Sequence, residues 1–86
     1  MEKARQFLEI FNNSSDYRER FLSLYNGLYL LLGDDIWKKI EKEGIDRARM
    51  EDALCYVRED GERIGKTVLE ERELSLLSSL LSSLLS

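Results

Sequence analysis

Few residues in this chain are able to do chemistry, and their spacing argues against most of what they might do. Histidine is absent from the 86 residues, which removes the usual general base near neutral pH and the commonest metal ligand. The single cysteine, Cys55, lies among Leu54, Tyr56 and Val57, and reads as a small buried side chain rather than a nucleophile. Carboxylates are plentiful, but Asp34 and Asp35 stand where a helix restarts, and the pairs Glu51/Asp52, Glu59/Asp60 and Glu70/Glu71 read as a solvated face. Carboxylates from different helices can hold a divalent ion in bundle sites, but the Glu-x-x-His elements of di-iron bundles require the missing histidine. Residues 61–67 read Gly-x-x-x-Gly-Lys-Thr, one residue short of the spacing that lets a phosphate-binding loop wrap its ligand. No catalytic residue, cofactor or metal is expected, and the chain reads as a non-enzyme.

Recognition of nucleic acid is the other chemistry with named residues. A short helix over Asp35 to Lys42, a turn at Glu43 to Ile45 and a helix from Arg47 have the outline of a helix-turn-helix. Arg47 and Arg49 fall in the first turn of the would-be recognition helix, with Lys38, Lys39 and Lys42 beside them to meet phosphates. Against this, Glu51, Asp52, Glu59 and Asp60 would repel a duplex, and two capped helices joined by a glycine turn are a common way for a small bundle to turn a corner. The 13 basic and 17 acidic side chains give a net charge of −4, without the basic excess usual in duplex binders. A helix-turn-helix DNA-binding transcriptional regulator is therefore the alternative reading, winged if Asp60-Gly61 turns a hairpin rather than continuing a helix.

These residues must be held by helices. Proline is absent and Leu, Glu, Lys and Arg dominate, a composition of helix formers. Ala4, Phe7, Leu8 and Phe11 make one apolar stripe over a helix from about Glu2. The polar run Asn12 to Ser15 ends it, and Asp16 with Glu19 three residues later suits a new helix start. That second helix carries Tyr17, Phe21, Leu22, Leu24, Tyr25, Leu28, Tyr29, Leu30, Leu31 and Leu32. Its last half is apolar nearly all round, which predicts a central helix covered on several sides. The spacing of Tyr17, Tyr25 and Tyr29 points to a core edge rather than a base-stacking platform. Gly33 stops it. Ile36, Trp37 and Ile40 then face inward on a short helix ending at Gly44, with Trp37 either a core plug or an interface anchor. Asp46 caps the next helix, flanked by the staple pair Ile45 and Met50. From there Met50, Leu54, Val57, Gly61, Ile64 and Val68 keep a 4, 3, 4, 3, 4 spacing, the seam of a helix packed along a neighbour.

From Leu74 the chain becomes a Leu-Leu-Ser-Ser repeat. Each repeat drifts by roughly 40° around an α-helix, which gives a broad leucine face rather than a narrow seam. On one straight helix that face would lie nearly opposite the stripe from Met50 to Val68. Either the chain breaks near Glu70 to Glu73 and the tail folds back, or one long helix turns its last part to another molecule. Leu74, Leu77, Leu80, Leu81, Leu84 and Leu85 are the candidate packing residues, since leaving them in water would create a large apolar patch. Self-association, folding back, binding another protein, lying on a membrane surface, and a repeat with no function all compete for this tail.

The expected architecture is all-α: a small bundle of four to five helices over residues 1–73, and a low-complexity amphipathic Leu/Ser helix over 74–86 used for packing or oligomerisation. With 43 % apolar and 35 % charged residues the chain falls in the globular class. At this length folding buries only roughly 60–65 % of the unfolded surface. A thin core favours association, so a homo-oligomer (dimer or tetramer) or a helical protein partner is expected. One cysteine excludes an internal disulfide, no signal-like h-region opens the sequence, and the uncharged apolar stretches are shorter than the roughly 18 residues a membrane span needs. A cytoplasmic helical interaction or oligomerisation module is the functional expectation.

Overall fold

The computed structural model describes residues 2–58 and 69–86 of the chain. Among the described residues the fold is all-α. Its elements are α1 (Glu2–Asn13), α2 (Tyr17–Leu32), a 3-10 turn (Gly33–Asp35), α3 (Ile36–Lys42), α4 (Arg47–Arg58) and α5 (Glu71–Leu85).

Each boundary has a local cause. Asp16 sits in extended backbone and accepts the Glu19 N–H at 2.9 Å, satisfying one of the orphan donors of the first turn of α2. Only this half of a capping box forms in the described contacts, because the Asp16 N–H donates instead to Ser14 Oγ at 3.1 Å. Gly33 ends α2 at φ 58° and donates its N–H to the Tyr29 carbonyl, a left-handed conformation that favours glycine. Gly44, at φ 95°, lets the chain turn between α3 and α4. Ile45 and Met50 are both fully buried, and the Met50 N–H bonds to the Asp46 carbonyl at 3.2 Å, so α4 starts where the staple pair places it.

α2 is the centre of the fold, packed by α1, α5 and α3, and α5 also lies against α1. The core gathers Phe21, Leu24 and Leu28 from α2, Ile36 and Ile40 from α3, Met50, Ala53, Leu54 and Val57 from α4, and Leu74, Leu77 and Leu81 from α5. The Leu/Ser repeat therefore folds back into its own protomer. Leu69 and Glu70 are outside any helix and Glu70 is extended at ψ 165°, which supplies the break needed to reverse the leucine face. A radius of gyration of 12.1 Å matches the about 12 Å expected of a compact chain this long.

One glycine in the middle of α2 is explained by this packing. A Cβ on Gly27 would stand 2.9 Å from Leu81 Cδ2 and 3.3 Å from Phe7 Cβ. Its cost of about 1 kcal/mol in helix propensity is the condition for α1 and α5 to approach α2 together. The hairpin signal at Asp60-Gly61, the phosphate-loop fragment over 61–67, and the Gly61, Ile64 and Val68 part of the seam lie outside the described residues.

Candidate interaction surface

Polar contacts fasten α5 along its length. Glu73 is only 6 % exposed and takes Arg49 of α4 on both carboxylate oxygens, with Nε to Oε2 at 2.9 Å. Its Oε1 also accepts the Glu70 N–H at 2.8 Å, so the carboxylate caps its own helix and holds α4. Burial pushes the Glu73 carboxyl up, but the Arg49 hydrogen bonds, the Glu70 N–H and the Arg49 and Arg72 charges outweigh it and hold it below the ordinary value. Arg20 of α2 binds Glu71 through two hydrogen bonds at 2.9 and 2.7 Å, and its guanidinium lies 4.5 Å from the centre of the Phe11 ring. The Tyr17 hydroxyl accepts the Leu69 N–H at 2.9 Å, and burial raises its pKa. At the far end, Arg5 of α1 donates to the Leu85 carbonyl at 3.1 Å, one of the open acceptors of a helix C-terminus.

The six tail leucines are thus divided. Leu74, Leu77 and Leu81 are fully buried in the core, while Leu80, Leu84 and Leu85 are half-buried against its edge. The five basic residues considered for phosphate contact are divided as well. Lys38, Lys39 and Lys42 are exposed along the outer face of α3, with Asp35, Glu41 and Leu32, around a cleft of about 680 Å³. Arg47 lies over the Trp37 ring at 4.7 Å and pairs with Glu51 at 3.5 Å. Arg49 is engaged by Glu73, so the structure does not bring all five together as a free basic face. Trp37 is half-buried and tilts against Tyr25 at 6.4 Å, which makes it a core edge shielded by an arginine. Cys55 is half-buried. Among the described residues no three side chains of His, Cys, Asp or Glu converge as metal ligands, and no helix is long and apolar enough to cross a membrane.

No family model, curated protein or solved structure matches the chain. The surface must therefore be read from its own residues. Around α2, at roughly 100° per residue, Asn26 and Leu30 fall within about 20° of Glu19, and Leu22 and Tyr29 flank them on one side. Burial follows this phase: Glu19, Asn26, Tyr29 and Leu30 are exposed and Leu22 is half-buried, while Phe21, Leu24 and Leu28 opposite them are fully buried. The helix is central, as its composition predicts, but one sector is uncovered. Tyr29 is 46 % exposed, Leu30 53 %, and Ile10 of α1 39 %; these are the exposed large hydrophobic residues among those described. Ile10 lies beside Glu19 in a shallower groove of about 370 Å³ with Gln6, Glu9 and Asn13, so one uncovered apolar group lies on α1 next to the start of α2 and the other two near the end of α2.

This strip escaped the sequence reading because the last half of α2 is apolar nearly all round, with Asn26 alone there to mark the open side. The ion pairs of α5 escaped it because their partners are distant in sequence, 24 residues for Arg49 and Glu73 and 51 for Arg20 and Glu71. The Glu70/Glu73 pair at the start of α5 was the one local signal available for them.

Proposed function

We propose that this chain is a non-enzymatic helical interaction module that associates with a second copy of itself. The observation that carries this reading is the uncovered sector of α2, where Tyr29 and Leu30 stay in water while the other large apolar groups of the helix are buried or half-buried. Apolar side chains at the surface of a thin-cored helical domain gain by being covered, and a side chain such as Leu contributes about 1.5–3 kcal/mol when fully withdrawn from water. The tail leucines, which the sequence offered as the association face, are largely spent inside the protomer.

Sedimentation equilibrium over a micromolar to millimolar range tests the proposal. The wild-type chain is expected to self-associate, and Tyr29→Ser with Leu30→Ser to weaken association while leaving the melting curve of the monomer intact. A wild-type chain that remains monomeric throughout would remove the reading. DNA binding is a second reading favoured only by the free lysines of α3. It predicts salt-sensitive duplex binding lost on Lys38→Ala with Lys42→Ala and insensitive to Tyr29→Ser.

A further inference from the structure

Two surface faces share a spacing and differ in charge. Asp35 at the end of the 3-10 turn and Lys38, Lys39 and Lys42 of α3 follow an i, i+3, i+4, i+7 order and border a cleft with Leu32 and Glu41. On α1, Gln6, Glu9, Ile10 and Asn13 follow the same order, and with Glu19 of α2 they border a groove whose charged members are both acidic. Among the described residues, the side chains of Lys38, Lys39, Lys42, Glu9 and Glu19 make no ion pair. They cannot pair with one another inside one copy across the length of α2, because Glu19 and Leu32 are 13 residues apart, about 20 Å along a helix axis.

We infer that the lysine face of α3 in one copy docks along the Glu9–Ile10–Glu19 groove of a second copy. This rests on the self-association reading and adds to it a second contact, apart from the Tyr29–Leu30 sector of α2. A two-turn face of one helix fits a groove between two others by ordinary ridge-into-groove packing, and the exposed Ile10 gains cover from the aliphatic stems of the lysines. With net charge −4 overall, the surface outside the three lysines is more acidic still, so this face is the part of the molecule that the acidic groove of a second copy attracts at contact range. The two faces are different patches, so each copy offers one of each.

The test is a charge swap in the full-length chain. Lys38→Glu with Lys39→Glu, and separately Glu9→Lys with Glu19→Lys, are each expected to weaken self-association at least about tenfold, and added salt to weaken the wild type. Mixing the two variants should restore association, since each then meets a face of opposite sign. The neutral pair Lys38→Gln with Lys39→Gln carries the same test if a reversal disturbs the melting curve. If wild type and both variants associate equally, the self-association reading stands and this docking is overturned. If the wild type is monomeric at low salt, both fall.

Discussion

Deleting residues 74–86 should unfold the protein rather than release an arm from it. Leu74, Leu77 and Leu81 are 1, 0 and 0 % exposed, and full burial contributes about 1.5–3 kcal/mol for each leucine, or about 5–9 kcal/mol for the three. A domain of this length has a total stability of about 4–13 kcal/mol, so the loss is comparable to everything available. The single substitution Leu77→Ala gives the graded version. It should cost about 2–5 kcal/mol, because the side chain is fully buried in the core and leaves a cavity there, and lower the melting temperature by roughly 10 °C or more. Ser82→Ala, on the exposed face of the same helix, should shift stability by no more than about 0.5 kcal/mol. Far-UV circular dichroism with urea titration reads all three. A truncated chain that still unfolds cooperatively at the wild-type midpoint would refute the placement of α5 in the core.

Two further substitutions probe how α5 is fastened. Glu73→Gln should cost about 1–2 kcal/mol at neutral pH, discounted because Arg49 is partly exposed. Since the folded pKa of Glu73 lies below its unfolded value, its contribution is full above about pH 4.3 and disappears as pH falls through the folded pKa. Urea midpoints of wild type and variant should therefore run parallel from neutral to mildly acidic pH and converge in stronger acid; an unchanged gap in strong acid would count against the Arg49 pairing. Gly27→Ala should lower the melting temperature despite a propensity gain of about 1 kcal/mol, because the new Cβ stands 2.9 Å from Leu81 Cδ2, on a fully buried side chain, and 3.3 Å from Phe7 Cβ, next to the backbone of α1, and overpacking costs about 1–3 kcal/mol. A raised melting temperature would show that α5 does not close on α2 there.

Local chemistry was legible in the sequence and long-range chemistry was not. Asp16, Gly33, Gly44 and the Ile45/Met50 pair mark helix ends through contacts within a turn, and all four ends fall where their residue types require. The stripe Met50, Leu54 and Val57 is buried as its spacing demands. The opposed phase of the tail leucines correctly posed the choice between a break and a second molecule, and the extended backbone at Glu70 answers it for the protomer. Glu70 and Glu71 are exposed, as a solvated face requires, but no local sign names Arg20 as the partner of Glu71 or Arg49 as the partner of neighbouring, buried Glu73. Which carboxylate meets which guanidinium depends on how helices stack, and no periodicity along one helix encodes that. The uncovered strip on α2 was hidden for a related reason: a helix apolar all round does not say which side its neighbours will leave open.

The closure of α1 and α2 by α5 has a consequence for biosynthesis. Arg5 meets the Leu85 carbonyl and Arg20 meets Glu71, so contacts that seal the first hairpin come from residues made much later. Between Leu28 and Leu81 the ribosome adds roughly 50 residues, about 3–10 s of translation. For that interval Phe7, Gly27 and their neighbours present an open apolar notch with nothing to fill it. An incomplete chain that exposes such apolar surface is aggregation-prone, and a polysome crowded with copies of this protein would bring such hairpins together before any of them is complete.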